Sequence, residues 1–417
     1  MELIEDIMVN YPKDWKELNL GKSSILKARI GWQGLTTAEY LDNGEYFLIT
    51  GTDFKNGFID WDNCVFVEKE RYDQDKYIQI VENDVLVTKD GTIGKVALVK
   101  DVPKPTTLNS GVFVIRPVGD SYYPQYFYYI LMSEHFRDFL GKLSAGSTIS
   151  HLYQKDFIHY NFPAPPTIKE QKSIAAALTD VDELISGLEK LISKKKDIKQ
   201  GTMQQLLTPP HKAGKRLPGF LGEWVETNFG KYIFLQGGYA FSSSTFKKDG
   251  VPILRISNIQ AGFIDLNDVV FSYDNSITKQ FIAHTGDVLI AMSGATTGKI
   301  GVYQHLRPAY VNQRVGKFTI IENKADLNFI RHITQSFRFE SELTKQIAQG
   351  AQPNISGKQI ESFVLDFPDD IEEQQAIAQI LSDMDAEITQ LETKKEKYNS
   401  IKQGMMQELL TGKTRLV

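Results

Sequence analysis

The stretch Ile198 to Thr208 (IKQGTMQQLLT) returns as Ile401 to Thr411 (IKQGMMQELLT), identical at nine of eleven positions and offset by 203 residues. The same offset pairs Glu170-Gln171 with Glu373-Gln374, and Asp180-x-Asp182 with Asp383-x-Asp385. It also pairs Asp84-Val85-Leu86 with Asp287-Val288-Leu289, and Asn109 with Asn312. Gly57-Phe58-Ile59-Asp60 returns as Gly262-Phe263-Ile264-Asp265 at 205, and Gly21-Lys22 as Gly230-Lys231 at 209. Such drift places small insertions in loops. A period near 200 residues far exceeds the roughly 20–50 residues of solenoid repeats. The chain is therefore a whole module duplicated, and pseudo-two-fold symmetry is the natural consequence.

Each copy ends in a long helix. Ile174, Leu178, Val181, Ile185, Leu188 and Ile192 follow one another at spacings of 4, 3, 4, 3 and 4, and Ile377, Leu381, Met384, Ile388 and Leu391 repeat the pattern. That rhythm suits a coiled-coil seam, with the two helices packed on each other. Thr167 with Glu170, and Asp370 with Glu373, have the spacing of a capping box at the helix start. Prolines 163, 165, 166 and 368 precede the helices, and Pro209-Pro210 stops the first, because proline cannot continue the hydrogen-bond ladder. About 40 residues at about 1.5 Å each give a strut of roughly 60 Å. Lys194-Lys195-Lys196 and Lys394-Lys395 interrupt the seams and are expected to be solvated faces.

The remaining parts are mixed α and β. Asp84 to Thr88, a glycine-containing turn, and Lys95 to Val99 predict a β-hairpin, with Val288–Ala291 and Lys299–Tyr303 as its counterpart. Tyr122 to Leu131 leads into a helix. The expected division is a first globular domain over 1–167, a helix over 168–208, a linker over 209–217, a second globular domain over 218–369 and a helix over 370–412. The fold class is α+β.

Composition narrows the function. Cys64 is the single cysteine, so no internal disulfide forms, which fits a reducing cytosol. The seven histidines are scattered without metal-ligand spacing. Met1 to Asp6 is acidic, unlike a signal peptide, and no run of about 18 apolar residues predicts a membrane span. The net charge of −5 weighs against a DNA binder, which needs Lys and Arg against phosphates. Two readings survive: no DNA contact, or localised basic residues supplemented by a partner.

Most motifs that resemble chemistry fail on spacing. Gly294-Ala295-Thr296-Thr297-Gly298-Lys299 resembles a nucleotide-binding loop, but has three residues between its glycines and Ile300 after the lysine. A tight turn between strands explains it better, although Thr296 and Lys299 remain within reach of a nucleic-acid backbone. Helix capping explains Asp369-Asp370 and Glu372-Glu373. No nucleophile–base pair and no cofactor loop is evident, so no catalytic residue, cofactor or metal is expected. Candidates for nucleic-acid contact are Lys89, Lys95, Asn109, Arg255, Asn258, Thr296, Lys299, Asn312, Gln313 and Arg314. Arginine matches guanine, and Asn or Gln matches adenine, in bidentate pairs. A plain structural role is the competing reading for each.

The twice-written Glu-Gln-x-x-Ile, Asp-x-Asp and Lys-Gln-Gly-x-Met-Gln-x-Leu-Leu-Thr sequences, with Gly412-Lys413-Thr414-Arg415-Leu416 after the second, resemble the specificity subunits of Type I restriction–modification systems. The resemblance covers nearly the full length. It implies two target-recognition domains at opposite ends of two antiparallel helices, each reading half of a split, asymmetric site in double-stranded DNA. It also implies docking of two modification subunits, adenine-N6 methyltransferases, by helices that include the seam residues, and of restriction subunits. The chain itself would be non-catalytic and cytoplasmic. Alternatives are a subunit of a Type IIB-like or phage-exclusion methylation system, a coiled-coil scaffold without DNA, and an NTPase using residues 294–299. If the half-sites differ, residues shared by the two domains support the fold or touch backbone, and divergent loops read bases. The nominated loops are 22–45 with 231–250, 88–93 with 291–297, and 110–116 with 313–319.

Overall fold

A computed structural model of the chain describes residues 11–144, 151–273, 279–322, 324–348 and 353–417. The acidic opening residues 1–6 lie outside the described residues. The chain divides into two units: residues 1–189 with 394–417, and residues 190–393.

In the first unit, Val85–Thr88 lies inside a six-stranded sheet. Its four residues are all buried, as expected of a central strand covered on both faces. It pairs antiparallel with Val112–Pro117 on one side and Val96–Leu98 on the other, which is the expected hairpin. A three-stranded sheet stands beside it, with Tyr46–Ile49 parallel to Thr106–Leu108 and antiparallel to Val65–Val67. The helix Pro124–Met132 starts on proline, whose missing N–H costs nothing at a first turn. It buries Tyr126 to Leu131 without a break, so it lies inside the core rather than on a surface. Tyr122, Phe127 and Phe162 meet there with ring centroids 4.7–5.5 Å apart.

The second unit repeats the plan. Val288–Ala291, again fully buried, pairs antiparallel with Val315–Ile320 and Ile300–Val302. Val251–Leu254 runs parallel to Ala309–Val311 and antiparallel to Val270–Ser272. Leu327–Ile333 takes the place of the buried helix, capped by Asp326, which accepts the Phe329 N–H at 2.9 Å.

Two 39-residue helices, Ile168–Leu206 and Ile371–Leu409, complete the chain. In the first unit Ile174, Ala175 and Leu178, from the opening turns of the first helix, share an apolar core with Met405, Met406 and Leu409 from the closing turns of the second. In the second unit Ile377, Ala378, Leu381 and Met384 share one with Met203 and Leu206. Start therefore meets end within each unit, and the helices run antiparallel. Val181, Leu188, Ile192 and Ile388 are also buried, whereas Ile185, Met384 and Leu391 are half-buried.

Repeated polar devices fix the helix starts. The Gln171 side chain donates to the Pro165 carbonyl at 3.2 Å and accepts the Tyr123 N–H at 2.8 Å. Gln374 does the same with Pro368 at 3.0 Å and Asp326 at 3.1 Å. Each glutamine thus ties the end of a strand to the start of the buried helix. Asp182 pairs with Lys402 at 2.6 Å, and Asp385 with Lys199 at 2.6 Å.

Two sequence-based expectations need correction. Thr167 Oγ1 accepts the Glu170 N–H at 3.2 Å, but the Glu170 carboxylate does not complete a capping box. It is buried and takes both nitrogens offered by Arg415, at 2.5 and 2.8 Å. Glu373 likewise binds Arg216 at 2.7 and 3.2 Å. A carboxylate removed from water requires a charged donor, and a backbone N–H is the weaker partner. The second correction concerns the lysine runs. Lys195 and Lys196 are not merely solvated: they reach Glu387 at 2.6 Å and Glu392 at 2.7 Å on the other long helix.

Candidate nucleic-acid interface

The candidate interface is a rim where strand ends converge. In the second unit Leu254 and Val311 close a parallel ladder, and the chain leaves both strands at the same edge. The Asn312 N–H donates to the Leu254 carbonyl at 3.0 Å, and the Gln313 N–H to Tyr239 at 2.9 Å. The Met292 N–H donates to the Arg314 carbonyl at 2.9 Å. These bonds bring Arg255, residues 312–314 and the turn 292–299 together. Thr296 Oγ1 donates to the Ile256 carbonyl at 3.0 Å and fastens the turn. Gly294 and Gly298, with φ of 80° and 86°, take left-handed conformations that a Cβ would strain. The loop resembling a nucleotide-binding motif is thus a hairpin turn.

The first unit builds the same rim. The Asn109 N–H donates to Ile49 at 2.9 Å and the Lys89 N–H to Gly111 at 2.9 Å. A further segment joins in both units: the Leu152 N–H donates to Lys89 at 2.8 Å, and the Ile355 N–H to Met292 at 2.9 Å. Sequence reasoning missed this segment. The sequence carries little signal for it: His151-Leu152 and Asn354-Ile355 stand at the same offset of 203 but share no residue.

The candidate residues divide by their surroundings. Lys95, Lys299, Gln313 and Arg314 are exposed on the rim. Lys299 Nζ touches only the Gln260 side chain among described partners, at 3.2 Å. Asn312 is half-buried, and its Oδ1 lies 3.5 Å from the Arg314 N–H. Arg255 donates to the Asp268 carbonyl at 2.8 Å, while its buried Nε has no partner among the described residues. Lys89 lies 5.3 Å above the Phe113 ring, and burial holds its amine below the usual lysine range.

Asn109 and Asn258 leave the candidate set. Asn109 accepts the Leu35 and Ser110 N–H groups and donates to the Leu35 carbonyl and the Tyr40 hydroxyl. All four of its hydrogen-bonding positions are filled. Asn258, only 2% exposed, accepts from Arg255 N–H at 2.9 Å and donates to the Asp265 carbonyl at 3.0 Å. The nominated stretches shrink for the same kind of reason. Val112 to Ile115 and Val315, Gly316 and Phe318 are buried in strands, leaving Ser110 and Gly111, and Gln313 and Arg314, at the rim.

The two rims differ where they present side chains. Asp53 and Asn258 occupy one repeat position, and each accepts the backbone N–H three residues earlier, from Thr50 and Arg255. Arg255 thus stands where the first unit has Thr50, and Arg314 where it has Gly111. Arginine is concentrated on the second rim, although the whole chain carries a net charge of −5.

Comparison with known proteins agrees with the duplicated plan. Residues 12–200 and 223–403 each match the family model described as Type I restriction modification DNA specificity domain. The chain is 31% identical over 355 residues to the Type I restriction enzyme MjaVIII specificity subunit of Methanocaldococcus jannaschii, covering 82% of this chain and 81% of that one. It is 25% identical to the EcoKI specificity subunit of Escherichia coli, with 86% and 79% covered. In fold it is similar to the type I restriction–modification S subunit from M. genitalium, with TM-score 0.63, 16% identity and 96% of each chain covered. The chain belongs to the family of Type I restriction–modification specificity subunits and carries the specificity domain twice. Among the described residues no helix is long and apolar enough to cross a membrane.

Proposed function

We propose that this chain is the DNA-reading subunit of a cytoplasmic Type I restriction–modification complex. One observation carries the reading: a common backbone rim is built twice and furnished with different side chains. Residues 1–167 and 218–369 act as two heads, each reading half of a split, asymmetric site in double-stranded DNA. The helices over 168–208 and 370–412, joined through the linker 209–217, hold the spacer and dock two adenine-N6 modification subunits, which restriction subunits join. Ile174, Leu178, Ile377 and Leu381 are committed inside the units. Docking therefore uses the outward helix faces, where Leu184 and Leu191 are exposed, rather than the innermost seam. Partner subunits add phosphate contacts that an acidic chain lacks, which reconciles net charge with function.

The division of labour on the second rim is testable with the assembled complex. Lys299→Ala is expected to weaken binding to target and unrelated duplexes alike, and to lower the salt slope by about 1. Arg314→Ala is expected to lose about 1–3 kcal/mol of discrimination at one position of one half-site. Titrations at several salt concentrations, on duplexes altered in either half, separate the two. Equal, sequence-independent losses for both variants would contradict the assignment.

A further inference from the structure

We propose that His151, held by Asp90, is a base-reading residue of the first head and contacts an exocyclic amino group in the major groove. The inference rests on the DNA-reading function above. It starts from three positions that the two rims share in backbone and not in side chain. Asp90 and His151 form an isolated antiparallel bridge, as do Ser293 and Asn354. Lys89 N–H bonds Gly111, as Met292 N–H bonds Arg314. Asp90, Gly111 and His151 thus occupy the places of Ser293, Arg314 and Asn354.

The second rim offers a long cationic donor at this place. The first has glycine there, and Asp90 covers it: a Cβ added at Gly111 would lie 3.7 Å from the Asp90 side chain. His151 Nδ1 hydrogen-bonds the Asp90 carboxylate. Its ring lies 4.5 Å from Tyr153, tilted by 51°, and Lys155 Nζ stands 5.5 Å from the Tyr153 ring. Tyr153 is itself exposed. The imidazole is therefore braced on one edge and one face, while keeping 27% of its side-chain surface open.

The bracing sets the chemistry. A carboxylate only accepts, so Nδ1 carries the proton that Asp90 receives. In the ring with a single proton, which this bond places on Nδ1, Nε2 is the acceptor. In the major groove, the donors are the N6 amino group of adenine and the N4 amino group of cytosine. Where Arg314 donates to a guanine edge, His151 accepts from an amino edge. The two heads thus use neighbouring positions of one rim, that of Gly111 and Arg314 and that of His151 and Asn354, to ask opposite questions of a base pair.

The test is selection of bound sites from random double-stranded DNA by the complete complex carrying His151→Asn or Asp90→Asn. Asparagine occupies the equivalent position in the second head, so His151→Asn is compatible with the loop, and circular dichroism melting verifies the fold of both variants. The expected result for His151→Asn is an altered preference at one base pair of one half-site, about ten- to a hundredfold in discrimination. The other half-site and the affinity for unrelated DNA stay unchanged. Asp90→Asn weakens the same position. Wild-type preference in folded His151→Asn overturns the inference and leaves the DNA-reading function intact. A wild-type complex that selects no two-part site overturns both.

Discussion

Tyr129 and His332 occupy one repeat position and solve the same burial problem with different chemistry. The Tyr129 hydroxyl donates to Asp182 at 2.8 Å. His332 lies 3.1 Å from the Ser382 hydroxyl, while neighbouring Arg331 takes Asp385 at 3.2 Å. Burial, reinforced by the Arg331 charge, pushes the His332 imidazole down to about 4. Unfolded, it would titrate near pH 6.5. Between these values the unfolded chain holds more protons, so stability falls as pH drops from about 6.5 towards 4, by up to roughly 3 kcal/mol. His332→Gln is expected to flatten this limb in urea unfolding between pH 7 and 4. Identical pH dependence in variant and wild type would contradict it. At this scale the sequence was least legible. Polarity alone made Asn109, Asn258 and Gln313 equivalent candidates. Only tertiary structure separates two buried, hydrogen-bonded amides from one exposed on a rim. His151 escaped notice because its partner Asp90 lies 61 residues away in the chain.

Elements were far more legible, since apolar periodicity is a local property of the chain. Both hairpins and both long helices lie where the periodicity and turn residues put them, because strand and helix periods differ and proline punctuates the ends. What stayed hidden was the use of the segments that follow the helices. Gly412 to Leu416 returns in the first unit to the start of the opposite helix. Arg415 there pairs with Glu170 and, at 3.0 Å, with Asp14, and its guanidinium lies 5.9 Å from the Trp15 ring. In the second unit Arg216 pairs with Glu373, which also accepts from Trp224 Nε1 at 3.2 Å. Ion pairs between such distant residues leave no periodic trace. Arg415→Ala would strand the Glu170 carboxylate, 2% exposed, without its cation, and is expected to lower the stability of the first unit. Hydrogen exchange locates the loss: amides of residues 124–132 should lose protection, and those of 327–333 should not. Unchanged protection in both helices would show that Glu170 is not held by this pair.

For the molecule as a whole, duplication was the strongest signal, and it survives in detail. Glutamines 171 and 374, aspartates 182 and 385, and lysines 199 and 402 make matching bonds in the two units. A frame copied this closely cannot by itself distinguish two DNA half-sites. On the proposed reading, the distinction lies in the rim residues that differ, such as Thr50 and Arg255, or Gly111 and Arg314. The DNA target is not written in any local pattern, because base readout depends on how several loops meet the groove together. The decisive measurement is modification-sensitive long-read sequencing of DNA from cells that carry this chain with its modification subunit. A split N6-methyladenine motif is expected, lost when the gene is deleted and changed in one half only when residues 1–167 are exchanged for another head. Methylation that persists unchanged after deletion, with the partner subunit still produced, would contradict the specificity role.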